Sequence, residues 1–100
     1  MLNLIQKIEQ WANDRNLIEG SDAKSQALKL VSEVGELCDG VLKNRPHEIK
    51  DGIGDCVVVL TILARQSGMN LEECIAAAYD EIKDRKGRMV NGAFIKEGDE

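Results

Sequence analysis

The sequence predicts an all-α fold, a single-domain four-helix bundle over residues 1–100 that works as an oligomer. Three observations carry this. Apolar residues recur at helical spacing in four separate blocks, and no long run alternates with period two. The breakers Gly20, Asn44-Arg45-Pro46 and Gly68 fall between those blocks. The chain is 43% apolar yet holds only one Trp, one Tyr and one Phe, so its core is built from Leu, Ile, Val and Ala.

Residues 2–16 form the first amphipathic stretch, with Leu2, Ile5, Ile8 and Trp11 on one face. Leu17 and Ile18 are placed to pin the following loop to the core. Ser21 or Asp22 caps a second helix over about 22–43. Its inner arc is Ala27, Leu30, Val31, Val34, Leu37, Cys38 and Val41. Pro46 suits the first turn of a third helix, which runs to Gln66. From Cys56 to Ala64 that helix is apolar on every side except at Thr61, which predicts a buried central helix. A domain of this size has little chain left to cover such a helix, which is the argument for oligomerisation. Asn70 and Glu73 predict a capping box at the start of the fourth helix. After Asp84 comes the one basic cluster, Arg85-Lys86-Gly87-Arg88, and residues 86–100 read as an irregular tail.

Bulk chemistry narrows the function. Net charge is −5 and the pI about 4.9, which argues against a binder of polymeric nucleic acid. A nucleotide held through a divalent cation remains compatible. The cysteines, Cys38, Cys56 and Cys74, lie 18 residues apart without a C-x-x-C, and His47 is the sole histidine, so zinc is not expected. They read as three small buried hydrophobes in a reducing, cytoplasmic setting. Met1 to Gln10 is too polar for a signal sequence, and the apolar run of the third helix is too short to span a membrane.

Two pairs of acids are the chemically informative feature. Glu33 and Glu36 border the apolar arc of the second helix, three residues apart and therefore neighbours. Asp51 and Asp55 open the third helix four residues apart, and their row continues into Val58, Val59 and Ile62. If the two helices run antiparallel across Asn44-Arg45, the four carboxylates meet at one level. Such acids repel unless protonated or bound to a cation. An oxygen-only set of this kind suits Mg²⁺, with Mn²⁺ as a substitute. Acids at these spacings also occur on plain solvated helix faces, and spacing alone leaves both readings open. Gly52 and Gly54 cost about 1 kcal/mol each in a helix, which suggests a close neighbour there.

Glu33-Val34-Gly35-Glu36-Leu37, then Asp51-Gly52-Ile53-Gly54-Asp55 and a run of valines, resemble the MazG-type all-α nucleoside triphosphate pyrophosphohydrolases. That family carries E-x-x-E, a spacer, then E-x-x-D on adjacent helices. Lys24 to Val31 and the stretch Lys83 to Gly92 resemble its short, phage-type members, and the likeness runs from about Trp11 to Lys96. The resemblance implies Mg²⁺-dependent cleavage of a nucleoside triphosphate between the α and β phosphates, giving monophosphate and pyrophosphate. It implies Glu33, Glu36, Asp51 and Asp55 as metal ligands, with Glu33, Glu36 and Asp55 central to catalysis. Lys29, Arg85, Lys86, Arg88 and Asn91 are the matching candidates for the substrate, and a dimer or tetramer is the implied assembly. Surface lysines and arginines, and an Asn that forms a turn, are the plainer readings of the same residues. The family's second-motif glutamate falls at Gly52, so Asp51 or Glu48 must replace it. The alternative function is a non-catalytic helical module that has lost part of its metal site.

Overall fold

The computed structural model describes residues 1–99. Its four helices are α1 (Leu4–Asp14), α2 (Ala23–Leu42), α3 (Pro46–Gln66) and α4 (Leu71–Ile82), followed by strands β1 (Gly87–Val90) and β2 (Ala93–Lys96). Local chemistry sets the boundaries. Asn3 caps α1 reciprocally: its side chain accepts from the Gln6 amide while Gln6 Oε1 accepts from the Asn3 amide. Asp22 Oδ1 accepts from the Ser25 amide at 2.7 Å and Asn70 Oδ1 from the Glu73 amide at 2.9 Å. Pro46 stands in the first turn of α3, and Asn44, with φ +52, lets the chain reverse out of α2.

The antiparallel α2–α3 hairpin is the largest contact in the molecule, and α1 and α4 each pack on α3. Along α2, Gln26 and Gly40 are buried and Leu30, Glu33 and Leu37 half-buried. These five lie at alternating spacings of four and three, which is one continuous helix face, turned toward α3. Two glycines set the approach. A Cβ at Gly52 would stand 3.0 Å from the Leu37 Cβ, and one at Gly40 would stand 3.1 Å from the Glu48 Cβ. The close neighbour suggested by Gly52 is therefore the α2 backbone; around Gly54 there is nothing within 4 Å.

Ala12, Val59, Ile62, Ala64 and Leu71 form the buried apolar core, joined by Thr61. The Thr61 hydroxyl donates to the Val57 carbonyl at 2.7 Å, which satisfies a polar group enclosed on every side. Leu17 and Ile18 are half-buried, and Gln66 Nε2 donates to the Ile18 carbonyl at 3.1 Å, so the first loop is tied to the end of α3.

Four expectations need correction. The third helix is central but not enclosed: Ile53 is 54% exposed and Leu60 stands at the margin of exposure. The helices do not close a bundle within one chain, because α1, α2 and α4 all lean on α3 and make at most marginal contact with one another. Cys38 is exposed and Cys56 and Cys74 are half-buried, so none is a core residue. The tail is not irregular throughout either, and its last residue, Glu100, lies outside the described residues. Residues 87–96 form an antiparallel hairpin with Met89 opposite Phe94 and Val90 opposite Ala93. Asn91 and Gly92, at φ +50 and +83, make its two-residue turn, the geometry that Asn-Gly favours. No helix among the described residues is long and apolar enough to cross a membrane.

Candidate functional site

The α2–α3 hairpin brings the predicted acids to one flank. Two clefts meet there and share Asp55. One, ≈ 630 Å³, is lined by Leu4, Lys7, Ile8 and Trp11 of α1, Lys29 and Glu33 of α2, and Asp55, Val58 and Val59 of α3. The other, ≈ 430 Å³, is lined by Glu36, Asp39, Lys43, Arg45, Glu48, Asp51, Gly52 and Asp55. Glu33, Glu36, Asp51 and Asp55 thus occupy one continuous surface two helices wide.

Glu33 is the most constrained of the four. Its Oε2 is enclosed and lacks a hydrogen-bond partner. Burial pushes its carboxyl above the ordinary glutamate range, Glu36 and Asp55 push the same way, and the Lys29 ammonium opposes them. A carboxylate that loses solvent and faces two further carboxylates is a site whose charge calls for a cation. Asp51 and Glu48 sit farther out: His47 Nε2 is 3.5 Å from Asp51 Oδ2, and Arg45 donates to Glu48 at 3.1 Å. In this conformation, among the described residues, no three His, Cys, Asp or Glu side chains are gathered tightly enough to share an ion. The donor set still fits a hard divalent cation, since it is all carboxylate and includes one enclosed, unpartnered oxygen. Glu36, Asp51 and Asp55 are exposed side chains with room to turn toward Glu33.

Of the predicted substrate contacts, Lys29 lies in the cleft beside Glu33. Arg85, Lys86, Arg88 and Asn91 line neither cleft. They belong to the hairpin and the segment leading to it, and the turn accounts for Asn91. Lys7, Lys43 and Arg45 are cations that sequence reasoning passed over. Lys43 was within reach of it, because Glu36, Asp39 and Lys43 follow one helical row. Trp11 is 43% exposed at the mouth of the cleft, with the Arg15 guanidinium 4.8 Å from its ring centroid.

Comparison with known proteins identifies the family. Residues 22–90 match the MazG nucleotide pyrophosphohydrolase domain, a span that holds all four acids and both helices of the hairpin. An uncharacterized 18.2 kDa protein from the rep-hol intergenic region of Haemophilus phage HP1 is 61% identical over 64 residues, which cover 64% of this chain and 39% of the phage protein. The chain therefore matches well under half the length of that relative. No solved structure matches it significantly. The matched span covers most of the chain, and with the acids where the fold puts them, the chain belongs to the MazG nucleotide pyrophosphohydrolase family.

Proposed function

We propose that this protein hydrolyses nucleoside triphosphates between the α and β phosphates, releasing a monophosphate and pyrophosphate, with Mg²⁺ or Mn²⁺ as cofactor. The observation that carries the reading is an enclosed, unpartnered Glu33 oxygen on α2 whose charge is opposed by Glu36 of the same helix and by Asp55 of α3. Glu33, Glu36 and Asp55 would hold the cation, with Asp51 as the fourth member. Such a cation supplies charge neutralisation for the polyphosphate and lowers the pKa of a bound water.

The chain's own residues divide the remaining work. Lys29 and Lys7 flank the first cleft and Lys43 the second, so cations stand where a polyphosphate must lie along an acidic surface. Leu4, Ile8, Trp11, Val58 and Val59 give the first cleft an apolar wall. Its volume falls in the range of small-molecule sites, and the Trp11 ring offers a face on which a base can stack. The nucleoside therefore lies toward α1 and the phosphates toward the acids. One glutamate is left to orient the attacking water. Arg85, Lys86 and Arg88 would reach phosphate by movement of the hairpin or from another copy. The protein would act as a homo-oligomer in the cytoplasm, on free nucleotides rather than on nucleic acid.

Gly52 does not favour the non-catalytic alternative. Position 52 faces Leu37 closely enough that a glutamate there would press on the α2 backbone. The missing family glutamate is thus a feature of tight helix packing, and Asp51 beside it still borders the cleft.

Pure protein incubated with each nucleoside triphosphate and Mg²⁺ should yield monophosphate and pyrophosphate. Glu36→Gln and Asp55→Asn should each cut kcat by at least about a hundredfold, the order seen when a group that stabilises transition-state charge is lost. Both should keep the wild-type circular dichroism. Absence of turnover with every nucleotide and either metal would refute the proposal.

A further inference from the structure

The first cleft ends at a side chain that a second one holds. Leu4, Lys7, Ile8 and Trp11 follow one row along α1, at spacings of three and four residues, and all of them line the cleft. Arg15 continues that row by one further turn. It stands at the C-cap of α1 and does not itself line the cleft. Its guanidinium folds back over Trp11 instead. The Cζ atom lies 4.8 Å from the ring centroid, and Nη1 donates to the Trp11 carbonyl at 3.2 Å. The indole therefore stands between a cation and the cleft.

This arrangement does something that burial does not. Trp11 is 43% exposed, so packing alone leaves its ring free to change rotamer. The hydrogen bond ties the guanidinium to the Trp11 backbone, and the cation–π contact ties the ring to the guanidinium. Two contacts from one side chain thus restrict the ring to one orientation. They occupy a single face of it and leave the other open. Stacking on a base needs only one face. A ring fixed beforehand also spares the ligand the loss of side-chain freedom on binding. Trp11 and Arg15 both precede residue 22, where the family match begins, so the match assigns neither of them a role.

We infer that Arg15 is a positioning residue, which holds the Trp11 ring as a preset stacking platform for the nucleobase and acts on the substrate only through that ring. The inference rests on the nucleotide reading above for what occupies the platform. The buttress itself belongs to the free protein.

Trp11 is the only tryptophan in the chain, so fluorescence reports on the buttress without nucleotide or turnover. In the wild type its anisotropy should decay only with tumbling of the whole molecule. In Arg15→Met, which keeps an unbranched stem and removes the cation, a faster component from ring motion should appear. Identical decays in the two proteins overturn the inference, whether or not the chain is an enzyme. Calorimetric titration with the α,β-methylene analogues of ATP, GTP, CTP and UTP, in the presence of Mg²⁺, tests what the platform holds. Trp11→Leu should weaken binding at least about fivefold. Arg15→Met should weaken it about two- to fivefold, and Arg15→Lys, which keeps a cation over the ring, should lose less. In turnover the Arg15→Met loss should fall on KM, with kcat held within about twofold. Adding Arg15→Met to Trp11→Leu should weaken binding no further. A further loss in the double variant puts Arg15 on the nucleotide itself and overturns the inference, as does unchanged binding in Arg15→Met. Absence of binding by every analogue overturns the assignment of the platform to a nucleobase. Binding that follows this pattern without any hydrolysis of the natural nucleotides would refute the hydrolase reading and leave the platform standing.

Discussion

Glu33, the proposed metal ligand most enclosed by its neighbours, sits where its charge weighs on stability. It sits on the face of α2 that α3 covers, so part of its carboxylate loses water. Glu36 and Asp55 then oppose its charge, and only Lys29 favours it. The consequence for stability follows from linkage. A carboxyl whose native pKa lies above its unfolded value binds a proton more tightly when folded. Its contribution is fully present below the unfolded value, 4.5 for an ordinary glutamate. It is lost as pH rises through the raised native value. With cation chelated by EDTA, the melting temperature should therefore fall as pH rises from about 4.5 toward neutrality. Glu33→Gln should reduce that fall and melt higher than wild type at pH 7, while turnover is abolished. Thermal melts of both proteins from pH 4.5 to 7.5 check this; a variant that melts lower at pH 7 would remove the argument. Asp22 carries the opposite sign. The Ser25 amide holds its carboxyl below the ordinary value, so its share of α2 stability is present above pH 3.8 and lost as pH falls below it. The neighbourhood of Glu33 was legible in the sequence, because spacing on two antiparallel helices fixes which acids share a level. The cations Lys7 and Arg45 were not, since a lone basic residue has no pattern to distinguish it, whereas Lys43 follows the helical row of Glu36 and Asp39.

At the scale of elements, α2 and α3 are held close by what their glycines lack. The bounds of α3 follow directly from Pro46 and the Gln66–Gly68 exit, and the caps at Asp22 and Asn70 likewise answer to local chemistry. Which half of the α2 arc would be covered did not, because periodicity identifies an apolar face without naming its neighbour. Gly52 was legible both as a departure and as the sign of a close neighbour, and its packing against Leu37 gives both a structural reason. Gly52→Ala must fit a Cβ 3.0 Å from the Leu37 Cβ and 3.1 Å from its Cα. The overpacking penalty is about 1–3 kcal/mol, against a helix-propensity gain of roughly 1 kcal/mol, so the variant should be neutral to about 2 kcal/mol less stable. Gly52→Glu, which restores the family glutamate, should lose more than Gly52→Ala and gain no activity. Gly54→Ala meets nothing within 4 Å and should gain up to about 1 kcal/mol. Urea unfolding of the three variants gives the comparison. A Gly52→Glu protein as stable as wild type, with higher turnover, would show that α2 yields there and that position 52 can serve the site.

The whole molecule joins an acidic helical body to a basic hairpin that it barely touches. A polyphosphate approaching a chain of net charge −5 meets repulsion before it meets a ligand. Cations can offset this locally in two places: Lys7, Lys29, Lys43 and Arg45 in the clefts, and Arg85, Lys86, Arg88 and Lys96 in and beside the hairpin. The hairpin was the least legible part of the fold, although Asn91-Gly92 between Met89-Val90 and Ala93-Phe94 is a strong turn signal. Its strands are only four residues each, and a two-stranded sheet in isolation is marginal in water. No helix packs firmly on it, and Met89 and Phe94 remain exposed. Truncation after Asp84 therefore separates the two sources of charge without disturbing the α2–α3 hairpin. The shortened protein should keep its helical circular dichroism and melt within about 4 °C of the full chain, a shift that for a domain of this size corresponds to under roughly 1 kcal/mol. If the hairpin cations bind phosphate, KM should rise by about tenfold or more, the equivalent of one charge-assisted contact, with kcat changing far less, because the carboxylates and Lys29 stay in place. The KM effect should shrink as salt is raised. An unchanged KM at low salt would assign phosphate binding to Lys7, Lys29 and Lys43 and would remove Arg85, Lys86 and Arg88 from the site.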